Sequence, residues 1–323
     1  MPRTIRTLIV DDSALVRRVL TQMLDSAPDI EVVGTAADPY IARDKIKKLE
    51  PDVLTLDIEM PRMDGISFLK ALMRHHPMPV IMISTLTEKG ADITLRALEL
   101  GAVDFVTKPK LDVAETLTAY VEELTAKVRA AASARVTART DAAAGVAQAG
   151  PPLNQLEAIA ARYSPMAKII AIGASTGGTE AIKDVLTMLP PDCPGVVIAQ
   201  HIPPGFSTAF ADRMNRQTPL TVKEACDRDP ITPGHAFVAP GNRHLRVIRH
   251  GARYICRVTD DEPINRHRPS VSALFASVLE AAPKACVAAL LTGMGADGAK
   301  ELCEMHAAGV HTIAQDEASS VVW

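Results

Sequence analysis

Twice along this chain, short apolar runs alternate with stretches whose apolar residues recur at helix spacing. A segment almost devoid of large apolar side chains separates the two series. In the first series "TLIV", "EVVGTA", "DVLTLD", "PVIMIS" and "VDFVT" have the length and β-branched content of buried strands. Residues such as Leu15, Val19 and Leu20 supply the helical period between them. Repeated β/α alternation of this kind predicts a doubly wound parallel sheet, with ligands outside the carboxyl ends of the strands. After Val128, "AAASARVTARTDAAAGVAQAGPP" is Ala, small polar residues, Gly and Pro, and Gly145, Gly150, Pro151 and Pro152 mark it as a linker. A second series, "KIIAIG", "GVVIAQ", "AFVAP", "LRVIR" and "ACVAALLTG", starts at Lys168 and predicts a second, mixed and mostly parallel α/β sheet. The expected organisation is a domain over 1–130, a linker over 131–165 and a domain over 166–323. No internal repeat suggests a solenoid.

Composition removes several function classes. At 323 residues and 47% hydrophobic content, the chain can bury two ordinary globular cores. A formal net charge of -3 and only 3% aromatic residues argue against nucleic acid as partner, because neither phosphate neutralisation nor base stacking is provided for. Cys193, Cys226, Cys256, Cys286 and Cys303 form no C-x-x-C pair and point to reduced thiols, not a disulfide or zinc framework. No stretch is long and apolar enough to span a bilayer, so the expectation is a cytoplasmic protein that is not membrane-embedded.

Three carboxylates gather at one edge of the first sheet. Asp11 and Asp12 end the first expected strand and Asp57 ends the third, its neighbour in a doubly wound sheet. Such a cluster raises its own pKa values unless a cation is present, and a hard, oxygen-ligated ion such as Mg²⁺ suits it. Lys108 brings a positive charge and Ser84 a hydroxyl to the same edge. Aspartates at strand ends often serve only as helix N-caps, but a double Asp, a third Asp, a hydroxyl and a Lys-Pro on successive strand ends outweigh that reading. "LIVDDSALVRRVL", "LTLDIEMPRMDG", "MIST" and "DFVTKP" resemble the flavodoxin-like receiver domain of response regulators. The resemblance implies that Asp57 accepts a phosphoryl group from a histidine kinase and that Asp11 and Asp12 hold Mg²⁺ with it. By the same resemblance Ser84 is the switch hydroxyl and Lys108 contacts the phosphoryl group.

In the second domain, "IIAIGASTGGTEAI" places Ser175 between glycines at a strand-to-helix turn. A phosphate-binding loop needs Lys followed by Ser or Thr after its last glycine, and here Thr179 and Glu180 follow. The dinucleotide fingerprint fails as well, because Ala174 and Ser175 follow Gly173. A nucleophile elbow remains, although G-x-S-x-G alone occurs often by chance. It needs a base and an orienting acid on other strand ends. His201 directly follows "GVVIAQ", and Asp297 lies in the Gly-rich loop after "ACVAALLTG". His75, His76, His244 and His250 read as solvated surface residues, and Asp260, Asp261 and Asp316 as weaker rivals to Asp297. The chain order Ser, His, Asp departs from the Ser, Asp, His order of the α/β hydrolases.

"AIGASTGGTEAI", "QHIPPGFSTAFADRMN", "PGHAFVAPGNRHL", "NRHRPSVSALF", "LLTGMGADGAKEL" and "TIAQDEASSVV" resemble the catalytic domain of the CheB family of chemotaxis methylesterases. The resemblance implies Ser175 as nucleophile, His201 as base, Asp297 as orienting acid, and backbone N–H groups of Thr176 and Met294 at the oxyanion. Arg266, His267 and Arg268 fall in a family motif, without individual roles. The implied function is phosphorylation-activated hydrolysis of glutamate methyl esters on methyl-accepting chemotaxis receptors, with deamidation of receptor glutamines, and no cofactor for ester hydrolysis. Family members continue beyond the position of Trp323 with a Gly-Met-Pro segment and a helix, so the C-terminal end reads as shortened. A gated receptor-docking module with impaired catalysis is the alternative, and a serine peptidase or amidase is the rival among hydrolases.

Overall fold

The first apolar series becomes strands β1 (Ile5–Val10), β2 (Ile30–Ala36), β3 (Val53–Asp57), β4 (Val80–Ser84) and β5 (Asp104–Thr107). A computed structural model of the protein describes residues 3–85, 87–108, 114–136 and 168–323. Strands β3 and β4 are buried at every position, as strands covered on both faces must be. All five strands are parallel, in the order β2-β1-β3-β4-β5. Helices α1 (Ala14–Asp25), α2 (Pro39–Leu49), α3 (Gly65–His75), α4 (Glu88–Glu99) and α5 (Ala114–Ser133) alternate with them. The caps are informative. Ser13, Asp38, Asp64 and Thr87 accept backbone N–H groups at the starts of α1 to α4. Capping is therefore done by residues other than Asp11, Asp12 and Asp57, and the simple N-cap explanation of that trio fails.

The chain divides into two compact units, one within Met1–Ala142 and one within Ala143–Val321. Most of the expected linker, residues 137–165, lies outside the described residues. The second unit contains β6 (Ile169–Ala174), α6 (Gly178–Met188), β7 (Gly195–Gln200), α7 (Phe206–Gln217), β8 (Thr221–Glu224) and β9 (His235–Val238). A hairpin, β10 (His244–His250) and β11 (Arg253–Thr259), follows. Then come α8 (Val271–Ala281), β12 (Cys286–Leu290), α9 (Ala299–Ala307) and β13 (His311–Ala314).

Its main sheet has the order β13-β12-β6-β7-β9-β8, and every pairing in it is parallel. The antiparallel pairing expected of a mixed sheet is segregated into the β10–β11 hairpin, a separate two-stranded sheet. "LRVIR" thus belongs to a hairpin and not to a β/α repeat. Gly251, at φ 62°, turns the chain so that His250 pairs with Arg253. Strands β8 and β13 lie at the edges of the main sheet, and their sequences "TVKE" and "HTIA" carry too little apolar content to stand out.

Helix α8 is the most deeply buried helical segment of the second core, with Val271, Leu274, Phe275 and Val278 at 1% exposure or less. It can press on β6 because residue 173 is glycine. A Cβ there would lie 2.2 Å from Val271 Cγ1 and 3.2 Å from Phe275 Cζ. This close approach brings the N-terminus of α8 to the carboxyl edge of the sheet. Gly173→Ala should therefore overpack that contact and lower the stability of the second unit by about 1–3 kcal/mol, read from its transition in urea unfolding. An unchanged midpoint would contradict the close packing of α8 on β6.

Candidate active site

Parallel strands end on one side, so each sheet collects its strand-end residues at one edge. In the first unit Asp11 lies just past β1 and Asp57 ends β3, and the two strands pair directly. Oxygens of Asp11, Asp12 and Asp57 all fall within 4.8 Å of one another. Asp11 and Asp57 are buried, whereas Asp12 is exposed. Lys108 reaches in with Nζ 2.8 Å from Asp57 Oδ2 and 3.5 Å from Asp11 Oδ2. Burial pushes Asp57 up to about 6, against the pull of Lys108. Burial raises Asp11 as well. Burial alone would lower the Lys108 pKa, but its bonds to the two carboxylates outweigh that and raise it.

The single positive charge of Lys108 offsets only part of three carboxylates. Asp11 Oδ2 is buried and makes no hydrogen bond among the described residues. An all-oxygen donor set, in which Asp11 Oδ2 has the 3.5 Å ion pair with Lys108 but no hydrogen bond among the described residues, fits a small divalent cation. Ser84 ends β4, buried, and its Oγ accepts a hydrogen bond from Thr94 Oγ1 at 2.7 Å while lying 3.3 Å from the Thr85 carbonyl. Thr94, on α4, has no counterpart in the sequence reading.

The second unit repeats the arrangement with different chemistry. Ser175 follows β6, His201 follows β7, and Asp297 lies in the loop between β12 and α9. The ladder continues one step past the strands: Ser175 N–H donates to Thr292 O at 3.0 Å, and His201 N–H to Ala174 O at 3.2 Å. Gly177, at φ 78°, turns the chain into α6. His201 Nδ1 stands 3.1 Å from Ser175 Oγ, and its Nε2 stands 2.9 Å from Asp297 Oδ2.

Asp297 accepts four further hydrogen bonds. Oδ2 takes Val271 N–H at 2.6 Å, and Oδ1 takes Ser270 Oγ at 2.8 Å, Asn265 Nδ2 at 2.9 Å and Ser272 N–H at 3.4 Å. Burial alone would raise its pKa, but the donors led by His201 hold it well below the usual carboxylate range. With its pKa lowered, Asp297 as a carboxylate favours the proton on His201 Nε2, which leaves Nδ1 as the acceptor for the Ser175 hydroxyl.

His267 stacks on the other side of the arrangement, its ring 3.7 Å from that of His201 and inclined by 14°. It supplies a flat wall against which the His201 ring rests. Within "NRHRPS" the individual placements differ. Asn265 binds Asp297, His267 meets His201, and Arg268 binds Asn242 Oδ1 and the carbonyls of Asp260 and Asp261. Thr176 lies buried in the turn after Ser175. Gly293 packs so closely that a Cβ would fall 2.7 Å from Ser175 Cβ, which brings the chain entering Met294 alongside the serine.

His244 corrects the sequence reading: it is wholly buried, with Nε2 3.1 Å from Glu262 O and Nδ1 accepting Ser270 N–H at 3.2 Å. It opens β10, and its ring ties the loop before α8, which supplies donors to Asp297. The rival aspartates are engaged elsewhere. Asp260 pairs with Arg243, Asp261 with Arg246, and Asp316 accepts Ser319 N–H.

Fold and geometry together define a class: a receiver-like α/β unit followed by an α/β unit with a serine–histidine–aspartate chain at its sheet edge. The CheB methylesterase family model matches residues 170–323, and the response regulator receiver domain model matches residues 7–133. A protein-glutamate methylesterase/protein-glutamine glutaminase 1 of Xanthomonas campestris pv. campestris is 56% identical over 319 residues, covering 99% of this chain and 89% of that protein. A protein-glutamate methylesterase/protein-glutamine glutaminase of Nitrosomonas europaea is 51% identical over 323 residues, again covering 99% and 89%. Among solved structures, the CheB methylesterase catalytic domain of Thermotoga maritima shares 34% identity, covers 48% of this chain and 83% of that one, and has a TM-score of 0.47. The chain belongs to the CheB family of response-regulator protein-glutamate methylesterases/protein-glutamine glutaminases. No helix among the described residues is long and apolar enough to cross a membrane.

The carboxylate cluster has a measurable consequence. Without divalent cations the folded state binds the Asp57 proton more tightly than the unfolded chain, whose reference value is 3.8 against about 6 in the fold. The native state is then penalised as pH rises through that interval, because ionised Asp57 is held in a buried, acidic place. Asp57→Asn removes the penalty, so its melting temperature in EDTA should exceed that of wild type by a margin that grows from pH 5 to pH 7. Millimolar Mg²⁺ should close the gap by stabilising the wild type alone. Parallel melting curves with no Mg²⁺ response would contradict the cation site.

Proposed function

We propose that this protein hydrolyses methyl esters of glutamate side chains on methyl-accepting chemotaxis receptors, and deamidates receptor glutamines, under control of phosphorylation at Asp57. Family membership supports the reaction class. The continuous chain from Ser175 Oγ through the His201 ring to Asp297 carries the assignment of roles. Ser175 attacks the ester carbonyl as His201 Nδ1 takes its proton, and Asp297 stabilises the imidazolium that forms. Backbone N–H groups of Thr176 and Met294 are the proposed oxyanion donors. The Ser175 N–H is already committed to Thr292 O, so it is not a donor here. His201 gives the proton to the leaving methoxy oxygen, or to the leaving nitrogen of an amide, so that methanol or ammonia departs, and then activates the water that releases the glutamate. No cofactor enters these steps.

In the receiver unit, Asp11, Asp12 and Asp57 are the proposed ligands of a Mg²⁺ ion, which when bound would offset charge on a transferring phosphoryl group. The phosphodonor is a chemotaxis histidine kinase. Asp57 accepts the phosphoryl group, Lys108 neutralises part of its charge, and Ser84 turns its hydroxyl toward it. Doing so costs Ser84 its bond with Thr94, and that exchange couples the phosphorylation site to α4.

A fluorophosphonate probe tests the whole reading. Intact-mass and peptide mapping should find a single adduct on Ser175, lost in Ser175→Ala and slowed at least about 10²-fold in His201→Ala, a typical loss for a general base. Acetyl phosphate with Mg²⁺ should speed labelling of the wild type and leave Asp57→Asn unchanged. A folded protein that does not label at Ser175 would sink the catalytic assignment, and labelling indifferent to phosphodonor would sink the control by Asp57.

A further inference from the structure

We propose that Gln200 is a positioning residue whose side-chain amide clamps the main chains of the nucleophile and the base together. The inference rests on the Ser175–His201–Asp297 reading and adds a residue to it. Gln200 ends β7 and is only 4% exposed. Its Nε2 donates to Ser175 O at 2.9 Å and to His201 O at 3.1 Å. One amide group thereby bridges the two peptide carbonyls that flank the reacting pair, across the gap between β6 and β7.

The amide has one chemically sensible orientation. Two carbonyl oxygens can be met only by the NH₂ group, because the reverse orientation would set oxygen against oxygen. That choice leaves Oε1 buried without a hydrogen bond among the described residues. It faces Gly178, where a Cβ would stand 2.1 Å from Oε1. A residue selected only to fill this space would be apolar, since a buried acceptor left unmet is unfavourable. The bridge is the feature that offsets this cost. Gly178 leaves room for it at the start of α6.

The clamp acts on the distance that matters. His201 presents Nδ1, the ring nitrogen nearer its own main chain, to Ser175 Oγ. Serine and Nδ1 both sit on short tethers, so the separation of the two backbones sets the separation of the reacting atoms more directly than it would through Nε2. The ladder bond from His201 N–H to Ala174 O holds one side of this pair, and Gln200 holds the other. Asp297 and His267 orient the ring but leave the backbone spacing to β6, β7 and Gln200.

The test uses the full chain and the fluorophosphonate probe, following adduct formation by intact mass. Gln200→Met keeps the length and removes both donors. Its limiting labelling rate should fall about 10²-fold, the effect of a displacement near 1 Å, while the probe concentration for half-maximal labelling stays unchanged. Gln200→Glu places a carboxyl in the same space. Protonated, it donates one hydrogen bond to a carbonyl; ionised, it repels both. The labelling rate of Gln200→Glu relative to wild type should therefore climb as pH is lowered, a response that loss of packing would not produce. A folded Gln200→Met that labels at the wild-type limiting rate overturns the clamp. If Gln200→Met melts below the assay temperature, a pH-independent ratio for Gln200→Glu overturns it instead. Failure of the wild type to label at Ser175 would remove the catalytic reading itself, whereas wild-type labelling with indifferent Gln200 variants removes only the clamp.

Discussion

The parallel hydrogen-bond ladder that joins β12, β6 and β7 is the constraint on which the second unit depends. Residues distant in sequence become neighbours because Leu290 pairs with Gly173 and Ala174 with Gln200. Each of these strands ends at the same edge, so the residues just past their ends face one another. The ladder extends into the loops through Ser175 N–H to Thr292 O, and the site inherits the rigidity of the sheet. The receiver unit uses the same geometry, with Asp57 and Ser84 at the ends of the adjacent strands β3 and β4.

The two edges treat buried carboxylates in opposite ways. Asp57 is poorly served: Lys108 and the Glu59 N–H are its hydrogen-bond donors, and burial beside another acid raises its pKa. Asp297 is surrounded by donors from α8's first turn, from Ser270, from Asn265 and from His201, which together overcome burial. The contrast suits the roles proposed for them. A phosphoacceptor needs an unsatisfied charge that a cation and an incoming phosphoryl group can engage. An orienting acid needs a charge that stays fixed while its histidine partner changes protonation.

Helix α8 makes the second arrangement possible. Gly173 lets it lie against β6, and its first-turn N–H groups, which have no acceptor within the helix, then meet Asp297. His244, buried at the start of the hairpin, holds Ser270 in place beneath that carboxylate. The hairpin, outwardly a decoration on the α/β sheet, thus reaches the site through one imidazole.

Apolar periodicity indicated the five strands of the first parallel sheet and the central strands β6, β7, β9 and β12 of the second, and G-x-S-x-G, His201 after a strand and the doubled Asp at Asp11–Asp12 marked the strand-end chemistry. These signals are local: strand, turn and helix each leave a pattern within a few residues. Periodicity could not separate "LRVIR" from a β/α strand, because the antiparallel partner of β10 is a chain reversal at Gly251 and not a difference in β10's own residues. Polarity suggested a surface site for His244, but burial of a histidine depends on acceptors and donors that arrive from Glu262 and Ser270. His267 and Asn265 were visible only as members of a motif, and Gln200 only as the end of a strand. Their partners lie on other strands and loops, so the stacking on His201, the grip on Asp297 and the bridge between two carbonyls exist only once the sheet has brought those segments together. Tertiary structure decided them because a hydrogen bond is a relation between two places in space, and sequence records only one of the two at a time.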